Sequence, residues 1–214
     1  MKALILKDFY NLKKQGRFIL GVAILYGIIG MFISAEFFAP FLGILCLVLP
    51  INIFSFDKNS NWDNYALTLP LTRAQLAVSK YVSGFLLVLC AIALNTIFYG
   101  ISYLLPNTLP LSAATHLLIC YSIFCTASLA FSVLFPFIFK FGVEKSRIIL
   151  IIIFLLPSIA IAVFPKLAVE MQGNLRFLSQ TSPVILAILS LVILLSILAI
   201  SISISIGIIN KKDF

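Results

Sequence analysis

The sequence predicts an all-α integral membrane protein with six transmembrane helices, an N-terminal amphipathic helix and a polar segment between spans two and three. Two observations predict it. Of the 214 residues 62% are hydrophobic and only 10% charged, and the mean hydropathy of +1.18 exceeds what a water-soluble chain could cover with polar surface. The charges also fall into short clusters separated by uncharged runs close to the roughly 20 residues a helix needs to cross the hydrocarbon core. Helices are expected throughout, because an open strand would leave backbone groups unpaired in lipid.

The first span is expected at about 18–35, between Arg17 and Glu36, and the second at about 38–56, between Glu36 and Asp57. No charge occurs from Tyr81 to Phe139, so that stretch must fold back once. The turn is expected at "LLPNTLPLSAA", where Pro106, Asn107 and Pro110 interrupt helical hydrogen bonding, giving spans three and four at about 81–105 and 113–139. His116 then lies near a membrane surface. Span five is expected at about 148–165 and span six at about 183–209, where "SISISIG" alternates like a strand but the long apolar context favours a helix. A basic segment precedes the first apolar run and no small-residue cleavage site follows it, so that run is expected to stay as a span and not to be removed as a signal peptide.

All Lys and Arg except Lys166 and Arg176 fall on one side of this six-span plan. The positive-inside rule therefore places both termini, the segment 57–80 and the loop after span four in the cytoplasm. The net charge of +8 is thus a consequence of topology and gives no reason to expect nucleic acid as a partner. Cys46, Cys90, Cys120 and Cys125 all lie in expected spans without C-x-x-C spacing and read as small packing residues.

The chemistry that is missing narrows the function. Every Asp and Glu lies outside the expected spans, which argues against an intramembrane protease or metalloenzyme and disfavours an ion-driven carrier. No G-x-x-x-x-G-K-[ST] occurs, so no phosphate-cradling loop of that kind is available in this chain and any energy for transport must enter from another polypeptide.

The segment Asp57–Tyr81, "DKNSNWDNYALTLPLTRAQLAVSKY", is where such a partner would engage. Pro70 interrupts what precedes it, and Thr72 with Gln75 three residues later matches a capping box, so a short helix is expected from about Arg73 into span three. Trp62 and Tyr65 suit the headgroup level as interfacial anchors or could fill a groove on a partner, and Arg73 and Lys80 could equally serve only to enforce topology.

Read with its neighbours as "FDKNSNWDNYALTLPLTRAQLAVSKY", this segment resembles the loop between spans two and three of small bacterial ABC-2-type transporter permeases, such as those of Gram-positive peptide toxin and antimicrobial peptide exporters. The opening "MKALILKDFYNLKKQ" is similar to the N-terminus of the same group, and the resemblance extends over 1–214 as a single permease domain. It implies a non-catalytic subunit of the bacterial plasma membrane that pairs with a second permease chain, a copy or a relative, and is driven by a separate ATPase binding ATP and Mg. It also implies that Trp62, Asp63, Tyr65, Leu69, Pro70, Thr72, Arg73 and Lys80, joined by Gln75 and Leu76 of the same helix start, form a cytoplasmic coupling helix and its approach. The other classes are a non-transporting immunity or sensor component and, behind that, a stand-alone channel or secondary transporter.

Within 1–17, Ile5, Phe9 and Leu12 share one helical face, with Lys7, Asn11 and Lys14 opposite. That pattern fits an interfacial amphipathic helix, which the resemblance implies is an elbow lying along the leaflet before span one, or else a basic topogenic tail. A translocation path would draw on polar stripes in the spans: Asn52 beside Pro50, Asn95, Tyr99 and Ser102 on span three, and Tyr121, Cys125, Ser128 and Ser132 on span four. In span six, Ser190, Ser201 and Ser205 share a face, with Ser196 and Ser203 on another. The same side chains read equally as glue between helices, and uncharged walls suit an amphipathic or hydrophobic substrate such as a peptide, antimicrobial or drug.

Overall fold

The computed structural model describes residues 2–33, 38–66, 68–104, 112–149, 151–152, 155 and 183–211. Among them every regular element is helical: α1 (Lys2–Ile33), α2 (Phe38–Asn59), α3 (Trp62–Ala66), α4 (Arg73–Leu104), α5 (Ala113–Phe141) and α6 (Pro183–Asn210). Helices α2, α4, α5 and α6 are long and apolar enough to cross a membrane, whereas α1 contributes a shorter apolar stretch, Gln15–Gly30. Most of the expected fifth span, the turn around Asn107, and Lys166 and Arg176 lie outside the described residues.

One local expectation changes. The N-terminal segment is not a separate elbow, because α1 runs unbroken through Arg17 to Ile33. No proline interrupts this stretch, so the i to i−4 ladder simply continues. The helix expected from Arg73 does open there and runs on into the third span. Its start forms the first turn of α4, and the short independent helix is α3, reached through Asn61 at φ 50°, a left-handed position that asparagine tolerates.

Side-chain pairings set the directions. Tyr81 meets Phe135 while Tyr99 stacks on His116, so α4 and α5 are antiparallel. Tyr121 with Ser190 and Ser132 with Ser201 share the same offset of 69 residues, so α5 and α6 run parallel. Gly84 permits the close approach of α4 to α5: a Cβ there would lie 3.2 Å from both Phe131 and Phe135. Around this contact lies the apolar core, with Leu42, Val88, Phe131, Leu134 and Phe135 almost wholly buried. Helix α4 packs against α1, α2, α5 and α6 and is the central rod. The N-terminus of α1, α3, the start of α4 and the C-termini of α2, α5 and α6 all meet at one end, and that end carries Lys7, Lys58, Arg73, Lys80, Lys140 and Lys211.

Candidate coupling site at the basic end

The polar segment between α2 and α4 is fastened to the bundle by ionic contacts that begin on α1. Leu4, Asp8 and Leu12, spaced by four, form the inward stripe of α1, with Ile5 and Phe9 only half-buried beside it. The apolar face is thus rotated from the expected one. At its centre Asp8 is 1% exposed.

Lys80 of α4 reaches into the same space and donates to Asp8 at 2.8 Å and to Asp57 of α2 at 2.5 Å. Lys7 donates to the other oxygen of Asp57 at 2.6 Å, and Ser83 donates to the second oxygen of Asp8 at 3.0 Å. Two ammonium groups thus balance two carboxylates, and each carboxylate oxygen accepts a hydrogen bond. Balance is what makes the burial tolerable, since an isolated ion in such a place would cost several kcal/mol, roughly, after relaxation. Burial, followed by the nearby Lys80 ammonium, pushes the Lys7 amine below the ordinary lysine range despite its carboxylate partners.

Trp62 lies under Lys7, whose amine is 4.2 Å from the indole centroid. Both line a cavity of about 180 Å³ that also reaches Asp57, Lys80 and Leu76. Lys58 pairs with Glu144 at 2.6 Å on the surface and holds that carboxyl below the usual carboxylate range. The Glu144 segment follows α5 directly, because Gly142 at φ 82° ends that helix. Arg73 donates to the carbonyls of Ile209 and Asn210 at 3.0 Å each, so a guanidinium of α4 caps the C-terminus of α6. Thr72 and Gln75 make the reciprocal bonds of a capping box, both at 3.2 Å.

The residues singled out by sequence therefore divide. Lys80 and Trp62 face the ionic cluster, Arg73 is joined to α6, Gln75 and Leu76 are half-buried in the first turn of α4, and Leu69 is half-buried in the connection. Tyr65, Thr68, Pro70 and Thr72 form the exposed edge, Tyr65 being 57% exposed. Asp63 lies on α3. Sequence reasoning missed Asp8 and the inward role of Asp57. The available signal was one acid at the centre of an otherwise apolar i, i+4 stripe, with a lysine just inside the next charged boundary.

The polar stripes of the spans are occupied chiefly with one another and with backbone carbonyls. Asn95 is buried and donates to the Cys120 sulfur at 3.6 Å, and Ser102 donates to the Tyr99 carbonyl. The Tyr121 hydroxyl lies 2.5 Å from that of Ser190, and Asn52 donates to Gln15 at 3.2 Å. Ser128 is fully buried, and its hydroxyl has no hydrogen-bond partner among the described residues.

A directed chain begins at Pro136, which has no N–H for the Ser132 carbonyl. Ser201 donates to that carbonyl at 2.8 Å, so its oxygen must accept from Tyr81, 2.6 Å away. The Tyr81 proton is then committed, and Ser205 must donate to Tyr81 at 2.9 Å. One hydroxyl relay thus joins α4, α6 and α5.

The family model for ABC-2 family transporter proteins matches residues 3–210. The chain belongs to that family. No curated protein and no solved structure matches it. Membership establishes a membrane component of an ABC transporter, and the basic end described above is where this ABC-2 permease carries its concentrated polar chemistry.

Proposed function

We propose that this ABC-2 permease is the transmembrane subunit of an exporter for an amphipathic or hydrophobic substrate, powered by a separate ATPase that binds ATP and Mg and docks at the basic end. Both termini then face the cytoplasm of a bacterial plasma membrane, and a second permease chain completes the path. The observation that carries the reading is the fastening of the 57–80 segment: Asp57 and Lys80 tie it to α1, and Arg73 ties it to α6. A push on its exposed edge reaches several helix ends through rigid contacts, as a coupling element requires.

The docking surface in this reading is the edge of Tyr65, Thr68, Pro70 and Thr72, and its removal should not disturb the bundle. For Tyr65→Asp with Pro70→Ser in the full chain, co-purification of the ATPase is expected to fall at least tenfold, with thermal stability in detergent unchanged. Retention of the ATPase at the parental level, with normal expression, would overturn the docking assignment.

A further inference from the structure

We propose that the groove between the C-terminal halves of α5 and α6 is a binding site for an anionic glycerophospholipid of the leaflet at the basic end. Three features converge there. The groove is large, about 860 Å³, and open among the described residues. Its wall is apolar, formed by Val133, Phe137, Ile204 and Ile208, the right surface for acyl chains. Among the described residues its rim carries Lys140 and Lys211 with no acid lining the groove, and neither lysine is in an ion pair.

The parallel course of α5 and α6 brings these lysines to one level. Lys140 is in the last turn of α5 and Lys211 follows α6, so two cations from different helices flank one apolar slot. The Lys140 amine lies 5.2 Å from the Phe141 ring centroid, which keeps it at the edge of the slot. A phosphodiester supplies an anion, and its chains an apolar cover, that the described residues do not provide. A zwitterionic lipid would cover the wall equally well but adds a choline cation beside the lysines. A second protein chain would have to present both an acidic rim and an apolar ridge.

Each basic residue at a membrane surface strengthens binding of anionic lipid by about fivefold, so loss of both should weaken it about 25-fold. The test uses the full chain in nanodiscs of dioleoyl phosphatidylcholine with increasing dioleoyl phosphatidylglycerol, and native mass spectrometry counts the lipids retained. The parent is expected to keep phosphatidylglycerol in preference to phosphatidylcholine. Lys140→Gln with Lys211→Gln should abolish the preference, whereas Lys13→Gln with Lys145→Gln, an equal loss of charge away from the groove, should change it less than threefold. Ile204→Trp, which fills the slot and leaves the charge untouched, should displace the lipid as well. An equal loss in the control pair, no headgroup preference in the parent, or full retention in Ile204→Trp would each overturn the proposal. No readout involves ATPase or transport, so the result is independent of the export reading.

Discussion

Lys80 and Tyr81 are adjacent on α4, yet they anchor it in opposite directions by different chemistry. Lys80 turns towards α1 and α2 and is held by formal charges. Tyr81 turns towards α5 and α6 and is held by neutral hydroxyls. The difference teaches how a membrane bundle meets the cost of buried polarity. Charges can be buried at the polar boundary because two cations match two anions there. On the opposite side of α4, the groups are hydroxyls satisfying one another and a carbonyl released by proline. Removal of a group should therefore be far more damaging on the ionic side, where it leaves an unmatched charge, than on the neutral side, where it leaves a dipole.

The largest effect is expected for Lys80→Met, which leaves Asp8 and Asp57 with Lys7 alone. A loss of about 3–5 kcal/mol is expected, as for other buried pairs broken from one side. Adding Asp8→Asn should recover part of it, and a double-mutant cycle by unfolding in detergent measures the coupling. Simple additivity of the two changes would break the ionic half of the comparison.

Next comes Tyr81→Phe, which interrupts the relay but leaves the Ser132 carbonyl still served by Ser201. A loss of about 0.6–1.7 kcal/mol is expected, the range for hydrogen bonds between membrane helices. In Pro136→Ala the restored N–H competes for that carbonyl, so Tyr81→Phe should matter less in that background than in the parent. An unchanged effect there would show that the relay does not run in the direction assigned.

A local effect of about 1 kcal/mol is expected for Thr72→Ala, which removes half of the capping box. Faster amide exchange should be confined to the first turn of α4, at Gln75 and its neighbours. Exchange spreading as far as Lys80 would mean that the cap and the ionic cluster act as one unit.

The smallest effect belongs to the exposed pair Lys58–Glu144. Because the native carboxyl is held below its ordinary range by Lys58, its contribution is present above the unfolded glutamate value and is lost as pH falls through the depressed native one. Glu144→Gln should leave neutral-pH stability unchanged and remove only a slight slope in the acid range. A large loss at neutral pH would show that this surface pair carries weight that solvent screening ordinarily denies it.

The helical class, the membrane location and the family were legible in the sequence, because hydropathy and the order of charges report directly on what lipid tolerates. The Thr72–Gln75 cap was legible too, since a capping box is a matter of local spacing. The ionic cluster was not, because Asp8 looks like one more charge in a basic amphipathic segment until α2 and α4 are placed beside it. The continuity of α1 was hidden for a related reason: a change from mixed to apolar composition at Arg17 looks like a boundary, but composition alone does not end a helix. The part played by Ser201 depends on which carbonyl Pro136 releases across a neighbouring helix, and spacing within one span cannot reveal that.

The unbroken course of α4 has a mechanical consequence. The helix is 32 residues long, about 48 Å at 1.5 Å per residue, and the Lys80–Tyr81 anchorage sits near one end, leaving about 36 Å of shaft beyond it. A fulcrum so placed magnifies displacement: a swing of about 10° around it carries the tip at Leu104 roughly 6 Å sideways, while the short arm at Arg73 moves less than a third as far. If α4 swung there as a rigid rod, with the Asn95–Cys120 and Tyr99–His116 contacts carrying α5 along, small shifts at the basic end would be geared up into movements at the opposite face that are wide compared with a methylene chain.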